Sequence, residues 1–200
     1  MRLYLLRHGE TEWNQCGRKQ GQGDSPLTQR GQRQVEACAE LLATELALGG
    51  GARLVSSPLG RALRSAELIH TRLGDRFGSF GLSALLAEHD YGAWEGLTES
   101  EIECHFPGEL ARRRADHWRY RIPNGESYEL VAGRVRRWLS EQNSGVVVVA
   151  MTHDVVSRIL RGLYLRLSAD RVFELVHPPT RVYLLASGTV QQYDVRDSAA

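Results

Sequence analysis

Leu3-Tyr4-Leu5-Leu6-Arg7-His8-Gly9-Glu10-Thr11 is a short apolar run that breaks into a glycine-bearing polar turn. An apolar run without alternation reads as a strand buried on both faces, and such parallel strands present ligands at their carboxyl ends. Arg7 and His8 would stand on that rim. One Arg-His pair carries little alone in a chain with 7 histidines and 25 lysines plus arginines. Its weight comes from what later strand ends deliver.

Downstream, Asp24-Ser25-Pro26-Leu27-Thr28 reads as a turn ending in an N-cap at Thr28, and Val35, Cys38, Leu42 and Leu46 recur at helical spacing up to Gly49-Gly50-Gly51. A second strand is expected over Arg53 to Ser56. It runs into Ser56-Ser57-Pro58-Leu59-Gly60-Arg61, with Pro58 in a first helical turn and Leu59, Leu63, Ala66, Ile69 and Leu73 on one apolar face. Arg61 then lies in an opening turn, where rim and helix dipole both favour an anion. Residues 74–84 read as a Gly/Ser-rich connection, and Leu85-Leu86-Ala87 as a short strand or extended segment ending at Glu88.

Residues 89–125 are read as a partly helical lid insertion within a single domain spanning 1–200. A helix from Glu126 to Gln142, with Leu130, Val131, Val135, Trp138 and Leu139 inward, precedes the clearest buried strand, Val146 to Ala150. That strand ends at Met151-Thr152-His153 and is followed by an amphipathic helix through Tyr164. His153 thus stands where His8 stands. Arg181 to Ala186 and Thr189 to Tyr193, around Ser187-Gly188, form a hairpin. The alternation predicts a three-layer α/β/α sandwich around a mixed, mostly parallel sheet.

Composition excludes several alternatives. A net charge of +1 gives no global case for nucleic acid or membrane binding. The early apolar run is too short for a signal or a span, so the expected location is cytoplasmic. Three widely spaced cysteines without a C-x-x-C favour reduced thiols. The single lysine, Lys19, sits in no Walker, kinase or pyridoxal context, so anion handling falls to arginine. There is no H-E-x-x-H, no Cys/His cluster and no G-x-S-x-G, which leaves metal and serine acyl chemistry without their usual settings.

Phosphoryl transfer suits the residue types better. Fixed guanidiniums at Arg7 and Arg61 would stabilise the charge spread over equatorial oxygens. A neutral imidazole can attack phosphorus, and a carboxylic acid such as Glu88 can protonate the departing alkoxide.

Arg7-His8-Gly9-Glu10-Thr11 with Trp13-Asn14, Ser25-Pro26-Leu27-Thr28, Ser56 to Ala62, Glu88 ahead of Tyr91 to Gly96, Gly125-Glu126-Ser127 and Thr152-His153 resemble, in order and spacing, the histidine phosphatase (phosphoglycerate mutase-like) superfamily. The resemblance implies a phosphohistidine on His8, a phosphate pocket of Arg7, Arg61 and His153, and Glu88 as proton donor. It places Asn14 and Gln20 against the phosphoryl group, with Thr11 and Asp154 completing the candidate binding set. No metal and no cofactor are implied. Asp154 departs from the family's usual glycine, and an outward-facing N-cap is the expected conformation. The segment after Glu88 is closer to the phosphatase branch than to the mutase branch. A phosphoglycerate mutase-type transfer and a silent phospho-ligand binding module are the alternatives. The partner expected is a small phosphorylated substrate. Arg112 to Arg121 read either as a solvated face or as a collector of anions, and the terminal hairpin offers an edge for a homodimer.

Overall fold

The computed structural model describes residues 1–48, 50–142 and 145–196. In chain order the elements are β1 (Arg2–Arg7), α1 (Glu12–Gln15), α2 (Gln29–Glu45), β2 (Ala52–Ser56), α3 (Gly60–Leu73), β3 (Phe77–Leu82), α4 (Glu99–His105), α5 (Glu109–Ala115), α6 (Tyr128–Ser140), β4 (Val147–Thr152), α7 (Asp154–Leu165), α8 (Ala169–Glu174), β5 (Arg181–Ala186) and β6 (Thr189–Asp194). The sheet order is β3-β2-β4-β1-β5-β6. β1 to β4 are parallel and β5 runs antiparallel to β1. The expected mixed sandwich is therefore the observed fold.

Two apolar layers explain why the central strands do not alternate in polarity. Leu3, Leu5, Val148 and Ala150 pack with Val131, Val135, Val156 and Ile159 of α6 and α7. Tyr4, Leu6, Val149 and Met151 point the other way, onto Val35, Leu42, Ala66 and Ile69 of α2 and α3. A residue facing either side of the sheet meets a helix, so both faces must be apolar.

Several expectations are corrected at element edges. α2 ends at Glu45 with Leu46 extended, short of the glycine run, whose Gly49 lies outside the described residues. Pro58 precedes α3 instead of opening it, because Leu59 is the cap whose carbonyl accepts from Ala62 and Leu63. The inward face of that helix is accordingly Arg61, Ala62, Ser65, Ala66, Ile69 and Leu73, with Leu59 and Leu63 only half-buried. Residues 77–82 are a strand, β3, where a connection was expected. It is an edge strand whose two glycines and exposed side chains erase any hydrophobic signal. Leu85 and Leu86 lie in a 3-10 turn, Ala84–Leu86, and only Ala87 is extended. α6 begins after Ser127, whose hydroxyl caps Leu130 N–H; Leu130 points to solvent and Tyr128 takes an inward place. The short α8 had no counterpart in the sequence reading.

Residues 89–125 carry α4, α5 and a 3-10 turn at Gly92–Trp94, and they own a small core of Trp94, Ile102, Leu110 and Ile122. Among the described residues no helix is long and apolar enough to cross a membrane.

The loop after β1 is held against α2 by two glycines. A Cβ on Gly9 would lie 2.1 Å from the Gly31 carbonyl oxygen, and one on Gly31 would lie 2.1 Å from that of Glu10. Gly31→Ala is therefore expected to push the His8 loop off α2. Overpacking of this kind costs about 1–3 kcal/mol, visible as a lowered melting temperature. An unaltered melt would show that the loop yields freely.

Candidate active site

Register brings the two histidines together. Arg7 pairs with Thr152 across the parallel β1–β4 ladder, so the next residue on each strand is a histidine at the same sheet edge. His8 N–H extends the ladder to Thr152 O at 3.1 Å. The rings of His8 and His153 stand 5.1 Å apart, centroid to centroid. The same logic applies to β2. Ser56 pairs with Met151, and Ser57 therefore arrives beside His153, its Oγ 2.8 Å from Nε2.

His8 is buried, with Nδ1 2.7 Å from its neighbour Gly9 O. A carbonyl can only accept, so Nδ1 carries the proton and the lone pair lies on Nε2. Burial above all, then Arg61 and Arg7, push the His8 pKa well below the ordinary imidazole value. The ring is thus neutral at pH 7, as a nucleophile must be. Burial, followed by Arg61 and His8, likewise depresses His153. Its Nδ1 is buried without a partner.

Arg61, from the first turn of α3, is 2% exposed. Its Nη1 donates to Gly23 O (2.7 Å), its Nη2 to Gly21 O (2.8 Å), and Asp24 meets Nη1 at 3.2 Å. The guanidinium is locked, and its Nε–H faces His8 Nε2 at 3.3 Å. Arg7 is steered from the other side. Its Nη1 donates to His177 O at 2.8 Å, while its buried Nε has no partner. His177 is itself fixed between Ser157 Oγ and Arg181 O. Arg7 Nε is thus an orphaned donor, and His153 Nδ1 becomes a second when Ser57 Oγ–H donates to Nε2, an arrangement suited to the oxygens of a phosphoryl group.

Glu88 follows the 3-10 turn at Ala84–Leu86 and is 8% exposed. Its Oε1 accepts from His89 N (2.9 Å) and its Oε2 from Val155 N (3.4 Å). Its backbone carbonyl accepts from Gln22 Nε2 and from Arg134, which is paired with Glu126 at 2.9 Å. Burial is the main cause of its raised pKa; the hydrogen bond from His89 lowers it, Asp154 adds to the rise, and Arg61 and Arg7 oppose it. A raised carboxyl is the form that can donate a proton.

The lesser candidates separate. Arg7, His8, Asn14, Gln20, Arg61, Glu88 and Asp154 line one cavity, with Tyr91 at its side, whereas the fully buried His153 does not line it. Thr11 does not line it. It is fully buried, accepts from Asn14 N–H and Gln20 Nε2, and donates to Asn14 Oδ1. Asn14 and Gln20 are held by this cap. Asp154 is the first residue of α7 and not its cap, a place taken by His153. Its carboxylate turns to the cavity, 3.8 Å from Arg7 Nη1 and paired with Arg158, so the outward conformation is corrected.

The arginines of residues 112–121 are largely engaged. Arg112 pairs with Glu109, Arg119 approaches Glu129, and Arg121 donates to Gly125 O, whereas Arg113 lies over Tyr91 and Trp94. Nothing in residue type marks Ser57 and Asp24 as site residues, and His177 and Ser157 carry no sequence signal.

A chain with this sheet and this pair of histidines can be placed. Residues 3–193 match the histidine phosphatase superfamily (branch 1). The chain belongs to that family. It is 34% identical over 170 residues to the mouse 6-phosphofructo-2-kinase/fructose-2,6-bisphosphatase 1, covering 85% of this chain and 34% of that protein. The chain thus spans about a third of the length of the first curated relatives it matches. Among solved structures, a mycobacterial glucosyl-3-phosphoglycerate phosphatase complexed with VO3 is 29% identical with a TM-score of 0.80, covering 99% of both chains. The alpha-ribazole phosphatase of Shigella flexneri is 25% identical with a TM-score of 0.81, covering 98% of this chain and 96% of that one.

Proposed function

We propose that the protein hydrolyses phosphomonoesters through a phosphohistidine on His8, without a metal ion. The observation that carries this is the buried neutral His8, whose Nε2 lone pair faces the locked Arg61 Nε–H at 3.3 Å, with the His153 ring beside it and the Arg7 Nε unpaired. Relatives and structural neighbours named as phosphatases support hydrolysis over transfer.

In the first step His8 Nε2 forms the N–P bond as the ester P–O bond breaks, and Glu88 gives its proton to the leaving oxygen. In the second, the Glu88 carboxylate takes a proton from water. The water oxygen attacks phosphorus, the N–P bond breaks, and phosphate leaves. Arg7, Arg61 and His153 hold the three equatorial oxygens throughout, with Asn14 and Gln20 on the wall beside them. Release of inorganic phosphate from a panel of monoesters in EDTA tests the proposal. Interconversion of phosphoglycerates that requires a bisphosphate would identify a mutase instead.

The raised pKa of Glu88 fixes the sign of one pH effect. The acid form exists below that pKa, so kcat for an alkyl phosphate is expected to fall as pH rises through it. Glu88→Gln should remove that limb. Its penalty should be about 10²–10⁴-fold for alkyl esters and much smaller for p-nitrophenyl phosphate, whose leaving group needs no proton. Equal penalties on both would remove Glu88 from the role.

A further inference from the structure

Asp154 brings a negative charge into a cavity otherwise arranged for an anion, and its environment indicates what the charge is for. Asp154 Oδ2 is taken by Arg158, whereas Oδ1 is buried and has no hydrogen-bond partner, with Arg7 Nη1 3.8 Å away. Position in the reaction follows from the next residue. Val155 N–H lies 3.4 Å from Glu88 Oε2, so α7 opens beside the group that must meet the leaving oxygen. The orphaned acceptor therefore stands on the leaving-group side of the phosphate. A buried acceptor without a donor is costly, and a substrate that supplies the donor removes that cost.

The opposite wall gives a second observation. Arg18 and Lys19 line the cavity, but each is already neutralised by the lid, Arg18 by Glu101 at 2.7 Å and Lys19 by Glu99 at 3.0 Å. A second anionic group on the substrate would meet cations whose charge is already shared with carboxylates and would also face Asp154.

Resting on the phosphatase reading, we infer that Asp154 is a specificity-determining residue that selects phosphomonoesters bearing a hydroxyl next to the ester carbon and rejects those bearing a carboxylate or second phosphate there. A neutral polyol or sugar monophosphate is the substrate class that fits. Two of the phosphatases it resembles are named for a glucosyl-3-phosphoglycerate and a bisphosphate, so the chain would differ from those two in taste while sharing the phosphate cradle.

Three esters of the same three-carbon skeleton test this: glycerol 2-phosphate, propan-2-yl phosphate and 2-phospholactate, whose ester carbon carries two hydroxymethyls, two methyls, or a methyl and a carboxylate. The wild type is expected to favour them in that order, with kcat/KM for the first exceeding the last by at least about tenfold. Asp154→Asn and Asp154→Ser should each reduce that ratio by about tenfold or more. Because the ratio is taken within one preparation, loss of folded protein cancels. Equal kcat/KM for glycerol 2-phosphate and 2-phospholactate in the wild type, or a ratio unchanged in both variants, overturns the inference. p-Nitrophenyl phosphate separates the two levels. Its hydrolysis together with a flat ratio removes only the role of Asp154, whereas failure to hydrolyse any ester removes the phosphatase reading and this inference with it.

Discussion

His8→Ala is expected to lower kcat for every phosphomonoester by on the order of 10⁴-fold or more, because no other imidazole among the described residues lines the cavity. The second histidine is the obvious substitute, and geometry disqualifies it. His153 Nε2 is committed to Ser57, and the fully buried ring does not line the cavity. The variant should still fold, since the ring makes only a local hydrogen bond to Gly9 O and a long one from Arg61 Nε, itself held by the carbonyls of Gly21 and Gly23, and the loop is held by the backbone bond to Thr152. The decisive readout is covalent. Brief incubation of wild type with a ³²P-monoester followed by acid or alkali quench should leave label that is acid-labile and alkali-stable, and His8→Ala should carry none. Label persisting in the variant would assign the attack elsewhere, and wild type that turns over without ever holding label would point to direct attack by water.

The same residues show how far a sequence reaches. His8 and His153 were legible because parallel strands buried on both faces announce themselves as apolar runs, and a polar residue at the end of each run must emerge at the same edge. Neighbouring strands in register then do the rest, as Arg7 opposite Thr152 demonstrates. Arg61 was legible for a related reason, since a helix directly after a strand has its first turn at that rim. β3 was not. An edge strand has little to bury, and Phe77-Gly78-Ser79-Phe80-Gly81-Leu82 looks like a linker until β2 is there to pair with it.

Asp154 failed differently. Local propensity favours aspartate as a cap, but His153 is held in the cap position by the β4 ladder and by Ser57, which moves Asp154 into the helix and its carboxylate between Arg7 and Arg158. His177 could not be found at all. It acts through its carbonyl oxygen on Arg7, 170 positions away, and through a ring clamped by Ser157 and Arg181 O. A backbone acceptor leaves no mark in residue type, so positioning groups of this kind emerge only from coordinates.

Arg61→Ala is the second large effect, expected to reduce kcat/KM by roughly 10³-fold, and the reason lies in what holds the guanidinium. Gly21 O, Gly23 O and Asp24 fix it before any substrate arrives, so its alignment with the reacting phosphoryl costs nothing at the moment of reaction. Lysine offers one point charge and cannot span two carbonyls while facing His8, so Arg61→Lys should remain close to the alanine variant. Stability is expected to fall less than activity. The two glycine carbonyls lose donors at about 1 kcal/mol each, but removal of a buried cation is a compensating gain, and the partly exposed Asp24 can be rehydrated. The site should also lose its response to ligand: millimolar inorganic phosphate should raise the melting temperature of the wild type through preferential binding to the folded state and leave Arg61→Ala unmoved. An alanine variant within tenfold of wild-type kcat/KM, or one still stabilised by phosphate to the same extent, would mean that Arg61 serves the loop at residues 21–24 and not the reaction.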